Sequence, residues 1–162
     1  MGVSAARYLL DKGHRRIAFV QNSAAGDFSA LERRDGYAAT VQAAGLEPWV
    51  FVPSADKAPF EAGKQAMEAL MNRNPPPDTI IFANDNLAAG GLLAGLRAGL
   101  RIPQDCAVVG FGDYPFGGYT KTTARNEVIE NPSTKLNLML IPASRSRRVS
   151  RACSSSNQRP AM

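Results

Sequence analysis

The chain of 162 residues is poor in the residue types that most often carry chemistry. It has one histidine, His14, one tryptophan, Trp49, and two cysteines, Cys106 and Cys153, with no paired spacing. That set builds neither a disulfide framework nor a zinc site, and a reducing compartment is the simpler reading. No stretch approaches the roughly 20 apolar residues of a membrane helix. The first residues, Met-Gly-Val-Ser-Ala-Ala-Arg, lack the basic start and apolar core of a secretory signal. They also lack the Ser or Thr of a myristoylation signal. A cytoplasmic protein without a membrane partner is expected. Gly-x-x-x-x-Gly-Lys, Gly-x-Gly-x-x-Gly after a strand, Gly-x-Ser-x-Gly and metal-ligand spacings are all missing, so the expectation is no enzyme, no catalytic residue, no metal and no cofactor.

The net charge of +5 invites a nucleic-acid reading, but its location argues against one. Five of the 19 basic residues, Arg145, Arg147, Arg148, Arg151 and Arg159, fall in residues 143–162, where there is no acid. The rest of the chain holds 14 basic and 14 acidic residues, so the globular part has no basic excess for a nucleic-acid footprint. The tail itself is Ser/Arg-rich and nearly free of apolar residues. Such a segment cannot bury enough surface to offset its ordering entropy, which predicts disorder over 143–162.

What is present is concentrated between Asp78 and Asp113. Thr79 to Ala83 is a short apolar run rich in β-branched and aromatic residues, as in a strand covered on both faces. Asn84, Asp85 and Asn86 follow at once, all good helix N-cap types. Leu92, Leu93, Leu96 and Leu100 then recur at helical spacing, and Gly99 and Pro103 mark the exit. Gly90, Gly91 and Gly95 each cost a helix about 1 kcal/mol relative to Ala, which implies close packing against the sheet or a partner. Cys106 to Phe111 reads as a second buried strand. The unit is a β-α-β crossover, and its polar residues Asn84, Asp85 and Asp113 sit just beyond the carboxyl ends of strands, where open parallel sheets bind ligands.

The preceding segments repeat the pattern. Val3 to Lys12 reads as a helix closed by Gly13, and Arg16 to Gln21 contains the strand Ile-Ala-Phe-Val. A helix capped by Asp27 or Ser29 runs to about Ala44, with Tyr37, Ala38, Val41 and Ala44 on its apolar stripe. Trp49 to Val52 is a strand between prolines. Pro59 to Arg73 is a helix with Pro59 in its first turn, ended by Asn74-Pro75-Pro76-Pro77. Alternating helices and strands predict an α/β fold, a parallel sheet with helices on both faces. Three segments follow: a lobe over 1–119, an irregular or edge-strand segment over 120–142 with Leu136 to Ile141 as its strand, and the basic tail over 143–162. His14 lies in a turn at the opposite, amino edge of the sheet and reads as a packing residue.

Five pieces in order resemble one family. They are Gly-His14-Arg-Arg-Ile-Ala-Phe-Val, Glu-Arg33-Arg-Asp-Gly36-Tyr, Phe82-Ala-Asn-Asp-Asn, Ala-Gly99-Leu-Arg-Ile-Pro103-Gln-Asp and Val-Val-Gly110-Phe-Gly-Asp113. Together they resemble the lactose-repressor family of bacterial transcription regulators. Over residues 2 to about 119 they correspond to the C-terminal lobe of its two-lobed, periplasmic-binding-protein-like effector core. The resemblance implies an effector-binding lobe whose partner is a small polar molecule such as a sugar, with self-association. DNA contact would come only through a helix-turn-helix headpiece that this chain lacks, as it lacks the first lobe. Past Tyr119 the resemblance fades at Lys-Thr-Thr-Ala-Arg-Asn-Glu, which implies a truncated product with a tail from a shifted reading frame.

The resemblance also implies the site. Ser29, Arg33, Phe82 and Asn84 match positions where the family contacts its effector, and Asp113 joins them from the last carboxyl-edge loop. Arg33 would donate paired hydrogen bonds to hydroxyls or a carboxylate, Asn84 would donate and accept, and Phe82 would offer a ring face. Phe82 also fits a core position, and Asn84 a helix cap. Gly112 stands where many members place the first acid of a Gly-Tyr-Asp-type turn. Tyr114, Phe116 and Tyr119 form an aromatic loop beside the glycine-rich helix, a candidate contact surface. A sugar-binding protein of transport or chemotaxis has the same fold and is the alternative function; an α/β enzyme is a more distant one.

Overall fold

The computed structural model describes residues 1–21, 27–112, 129–131, 134–136 and 138–139. The order of elements is α1 (Gly2–Asp11), β1 (Ile17–Val20), α2 (Phe28–Ala43), β2 (Trp49–Phe51), α3 (Pro59–Met71), β3 (Thr79–Phe82), α4 (Asp85–Arg97) and β4 (Ala107–Val109). Three short strands follow: β5 (Ile129–Asn131), β6 (Thr134–Leu136) and β7 (Leu138–Met139). The main sheet has the order β2-β1-β3-β4-β7. Its first four strands are parallel, and β7 pairs antiparallel with β4 through Val108↔Met139 and Val109↔Leu138. Within the span Leu136 to Ile141, the described strand of the main sheet is β7, which runs antiparallel at its edge. β5 and β6 form a separate two-stranded ribbon.

The strand order follows from chemistry and handedness. Ile17–Val20 and Thr79–Phe82 are buried throughout, so they take the centre, with Ile17 opposite Thr79 and Val20 opposite Phe82. Trp49–Phe51 is only half-buried and takes the edge. From β1 the chain goes one way to β2, then returns past β1 to β3 and on to β4. Right-handed crossovers therefore place α2 on one face and α3 and α4 on the other. The pairing of α1 with α2 and of α3 with α4 agrees.

Two interactions seat α2. The Tyr37 hydroxyl donates to the Ile17 carbonyl at 2.6 Å and accepts from the Trp49 amide at 3.0 Å, joining the helix to β1 and β2. Its ring stacks on Phe19, with centroids 5.4 Å apart. Burial pushes the phenol up to about 12, against the pull of the Trp49 amide, so it stays protonated.

The α3–α4 pair works differently. A Cβ at Gly63 would collide with the Leu87 carbonyl, and one at Gly90 with the Phe60 carbonyl. The helices approach backbone to backbone, which only glycine permits, and this explains what the glycines in α4 are for. The leucines recur at helical spacing in a helix, as expected, but most of them do not form its buried face. The buried face of α4 consists of Leu87, Ala88, Gly90, Gly91, Ala94 and Gly95, while Leu93 and Leu96 are 45% and 51% exposed. Close approach leaves room only for small residues, so the larger ones face outward. Ala44, placed on an apolar stripe by spacing, is likewise exposed at its helix margin.

The amino edge is closed by a polar cluster. Asp78 accepts from the amides of Arg15 and Arg16 at 3.1 and 3.0 Å, and His14 Nδ1 lies 3.2 Å from the carboxylate and 2.7 Å from the hydroxyl of buried Thr79. Burial opposes the Asp78 charge, but the His14 ring and the two amides outweigh it and hold the carboxyl down at about 2. A depressed folded pKa contributes stability above the ordinary value of 3.8 that is lost as pH falls toward 2. Asp78→Asn is expected to cost about 2 kcal/mol at pH 7, and the gap to the parent should close near pH 2. Urea unfolding at both pH values checks this; parallel acid losses in parent and variant would contradict it.

Candidate functional site at the carboxyl edge

The strand order reverses between β1 and β3, and there the helices leave on opposite faces, opening a crevice at the carboxyl ends. Three backbone bonds define its floor. Ala83 donates to the Val20 carbonyl at 2.9 Å, Gln21 to the Phe51 carbonyl at 2.9 Å, and Asp85 to the Phe111 carbonyl at 3.1 Å. The ends of β1, β2, β3 and β4 are therefore laced together beneath the crevice.

Arg33 enters from α2, one turn before Tyr37 and so on the same side of the helix. Its Nη1 donates to the Ala83 carbonyl at 2.8 Å, and its guanidinium lies over the Phe111 ring at 5.1 Å from the centroid. Its Nε is cut off from solvent and has no hydrogen-bond partner among the described residues. Arg34, beside it, is committed elsewhere, to Asp35 at 2.6 Å and Gln21 Oε1 at 3.1 Å.

Asn84 is the N-cap of α4, its Oδ1 accepting from the Leu87 amide at 3.0 Å. Loss of such a cap costs about 1 kcal/mol. The capping oxygen is thus occupied. Ser29 is exposed one turn before Arg33, and the cap of α2 is Asp27, which accepts from Ala30 at 3.0 Å. Asp85 turns toward β4: a Cβ on Gly112 would stand 2.5 Å from its carboxylate, so the absent side chain at 112 leaves the space that this acid fills.

Phe82 stands apart from the expectation of a ring face open at the edge. It is wholly buried, and a Cβ on Gly91 would collide with its ring tip, so the ring lies under α4. The strand's period-2 alternation decides this, since Phe82 points to the face that α4 covers. The ring beside Arg33 belongs to Phe111. Sequence reasoning read Phe111 only as the end of a strand; the available signal was that it falls, like Asn84, two residues past a carboxyl end. The structure therefore brings Arg33, Ala83, Asn84 and Phe111 together. Asp113, Tyr114, Phe116 and Tyr119 lie outside the described residues. Among the described residues, no group of three or more His, Cys, Asp or Glu is placed to hold a metal, and no helix is long and apolar enough to cross a membrane.

Residues 6–124 match the periplasmic binding protein-like domain family. The chain belongs to that family. This periplasmic-binding-protein-like chain is 34% identical over 132 residues to the HTH-type transcriptional regulator GntR of Pseudomonas aeruginosa, covering 81% of this chain and 37% of that protein. It is 35% identical over 119 residues to the regulator GalS of Salmonella typhimurium, covering 72% and 34%. Among solved structures it is similar to a LacI-family transcriptional regulator from Silicibacter pomeroyi, with a TM-score of 0.67 and 27% identity over 74% of this chain and 36% of that one. The lactose-repressor resemblance and the α/β fold with helices on both faces are thereby borne out. The chain spans about a third of the length of the curated relatives it matches. Those relatives are transcriptional regulators rather than enzymes.

Proposed function

We propose that this chain is the effector-binding lobe of a bacterial transcriptional regulator, and that the effector is a small polar molecule of the sugar type. One observation carries the reading: a guanidinium held at the switch-point crevice by the Ala83 carbonyl and the Phe111 ring, with a donor left without a protein partner among the described residues. Ser29 and Asn84 flank it, and Phe82 serves as packed floor rather than stacking surface. We assign the lobe no catalysis, a cytoplasmic location and no direct reading of DNA, which belongs to a separate headpiece of such a regulator. Effector clefts of this fold close two lobes around the ligand. One lobe leaves the ligand half wet, so each hydrogen bond yields only about 1 kcal/mol and the sum barely exceeds the cost of immobilising the ligand. Calorimetric titration of the chain with simple sugars and sugar derivatives is expected to give millimolar dissociation constants that Arg33→Ala weakens by roughly tenfold. Micromolar binding, or binding indifferent to Arg33→Ala, would place the site elsewhere.

We also propose that the lobe self-associates through the outer face of α3 and α4. Phe60, Leu93 and Leu96 are 42%, 45% and 51% exposed there, a clustering that marks contact surfaces. Lys64 and Arg97 stand beside Glu61 and Glu68 at the same groove, so a second copy meets both charge signs. The aromatic loop of Tyr114, Phe116 and Tyr119, which lies outside the described residues, is the other contact surface that we propose. Sedimentation equilibrium should show a reversible dimer that Leu96→Glu abolishes; a monomer at the highest soluble concentration would refute the interface.

A further inference from the structure

We infer that Gly2 and Gly36 are positioning residues for the crevice: they let α1 rest on the backbone of the α2 turn that carries Arg33, and this seat fixes where the guanidinium lies. The seat exists without any ligand; its consequence for binding rests on the effector-binding reading. The buried face of α1 is Gly2, Ala5, Ala6 and Leu9, so its first two turns bring only small side chains to that face. A Cβ at Gly2 would collide with the Arg33 carbonyl and stand 2.9 Å from the Arg33 Cα. Nearly one turn along α2, a Cβ at Gly36 would stand 3.0 Å from Val3 Cγ2 and 3.1 Å from the Val3 amide nitrogen. The two glycines thus serve one crossing, each receiving the backbone of the other helix. Gly36 falls in the middle of α2, where glycine is locally unfavourable. Helix propensity does not account for it, and the approach of α1 does.

The same turn is held from a second direction. Tyr37, four residues after Arg33, bonds to Ile17 and Trp49 and ties α2 to the sheet. Between α1 and these two strands the turn has little freedom to slide or tilt. The Arg33 side chain therefore sets out from a fixed Cα to the Ala83 carbonyl at 2.8 Å and the Phe111 ring. A methyl group at Gly2 or Gly36 pushes the helices apart, and a hydrogen bond of 2.8 Å weakens once its ends separate by a few tenths of an ångström. Holding a long side chain in place beforehand lowers the cost of ordering it when a ligand arrives, so the seat acts on affinity as well as on packing.

Proton–nitrogen spectra of the ligand-free chain test this through the Arg33 Nε–H signal, assigned by its loss in Arg33→Lys. That N–H is cut off from solvent, so its signal persists, and the neighbouring Phe111 ring displaces it. Gly2→Ala and Gly36→Ala are expected to move the signal and to speed its exchange with water. The control is Gly13→Ala, which strains the far end of the same helix, where φ is 93° and no atom stands within 4 Å of a Cβ. It should lower the urea midpoint and leave the signal in place. Galactose and ribose titrations then read the consequence: several-fold weaker binding in the first two variants and parental binding in the control. An unmoved Arg33 signal in the first two variants, or an equal movement in Gly13→Ala, would overturn the inference. A moved signal with parental affinity would overturn the part the seat plays in binding. Gly36→Ala is the milder change and decides alone if Gly2→Ala does not fold. A parent that binds neither sugar counts against the effector reading, while the ligand-free signal still decides the positioning.

Discussion

The crevice depends on the buried pairing of β1 with β3. Eight residues, Ile17–Val20 and Thr79–Phe82, are covered on both faces, and their register of Ile17 on Thr79 sets where the two carboxyl ends stop. A parallel ladder buried on both sides admits no slip without turning core side chains out of place. Because α2 leaves β1 on one face and α4 leaves β3 on the other, fixing this pair also fixes where the two helices diverge. Tyr37 then sets the height of α2 over the sheet by bonding to Ile17 and Trp49, and Arg33, one turn earlier, falls over Ala83.

The two edges of the sheet divide the labour. At the amino edge, the Asp78 carboxylate accepts from two amides and lies against His14 Nδ1, a cluster whose effect is stability. At the carboxyl edge the same kind of accounting, among the described residues, leaves a donor over, on Arg33. A matched buried charge is a structural device, whereas an unmatched one at a crevice is a site for something else to match it. That contrast, more than the fold, is what supports the proposed reading of the carboxyl edge as the ligand-binding one.

Much of this was legible in the sequence. Burial on both faces makes β1 and β3 near-continuous apolar runs, and caps and glycines bound the helices, so element order and the parallel sheet followed from pattern. Arg33 and Asn84 were legible only through family resemblance, because an arginine on a helix and an asparagine before one are ordinary surface and cap residues. Three features were not legible. Leu93 and Leu96 of α4 point outward because the helix meets α3 backbone to backbone at Gly63 and Gly90, and no periodicity in one helix reports its neighbour's distance. Phe82 is floor rather than wall because the face covered by α4 is a tertiary fact. Phe111 acquires its role only from the side chain that lies on it.

The central claim is that the carboxyl edge, and not the amino edge or the α3–α4 groove, receives the effector. Hydrogen–deuterium exchange of the chain with and without a saturating sugar or sugar derivative tests it most directly. The account predicts slowed exchange at the amides of Ala83, Asn84, Asp85 and Phe111, with Arg15, Arg16 and Asp78 unchanged. Protection confined to the amino edge or to the groove between α3 and α4 would contradict it.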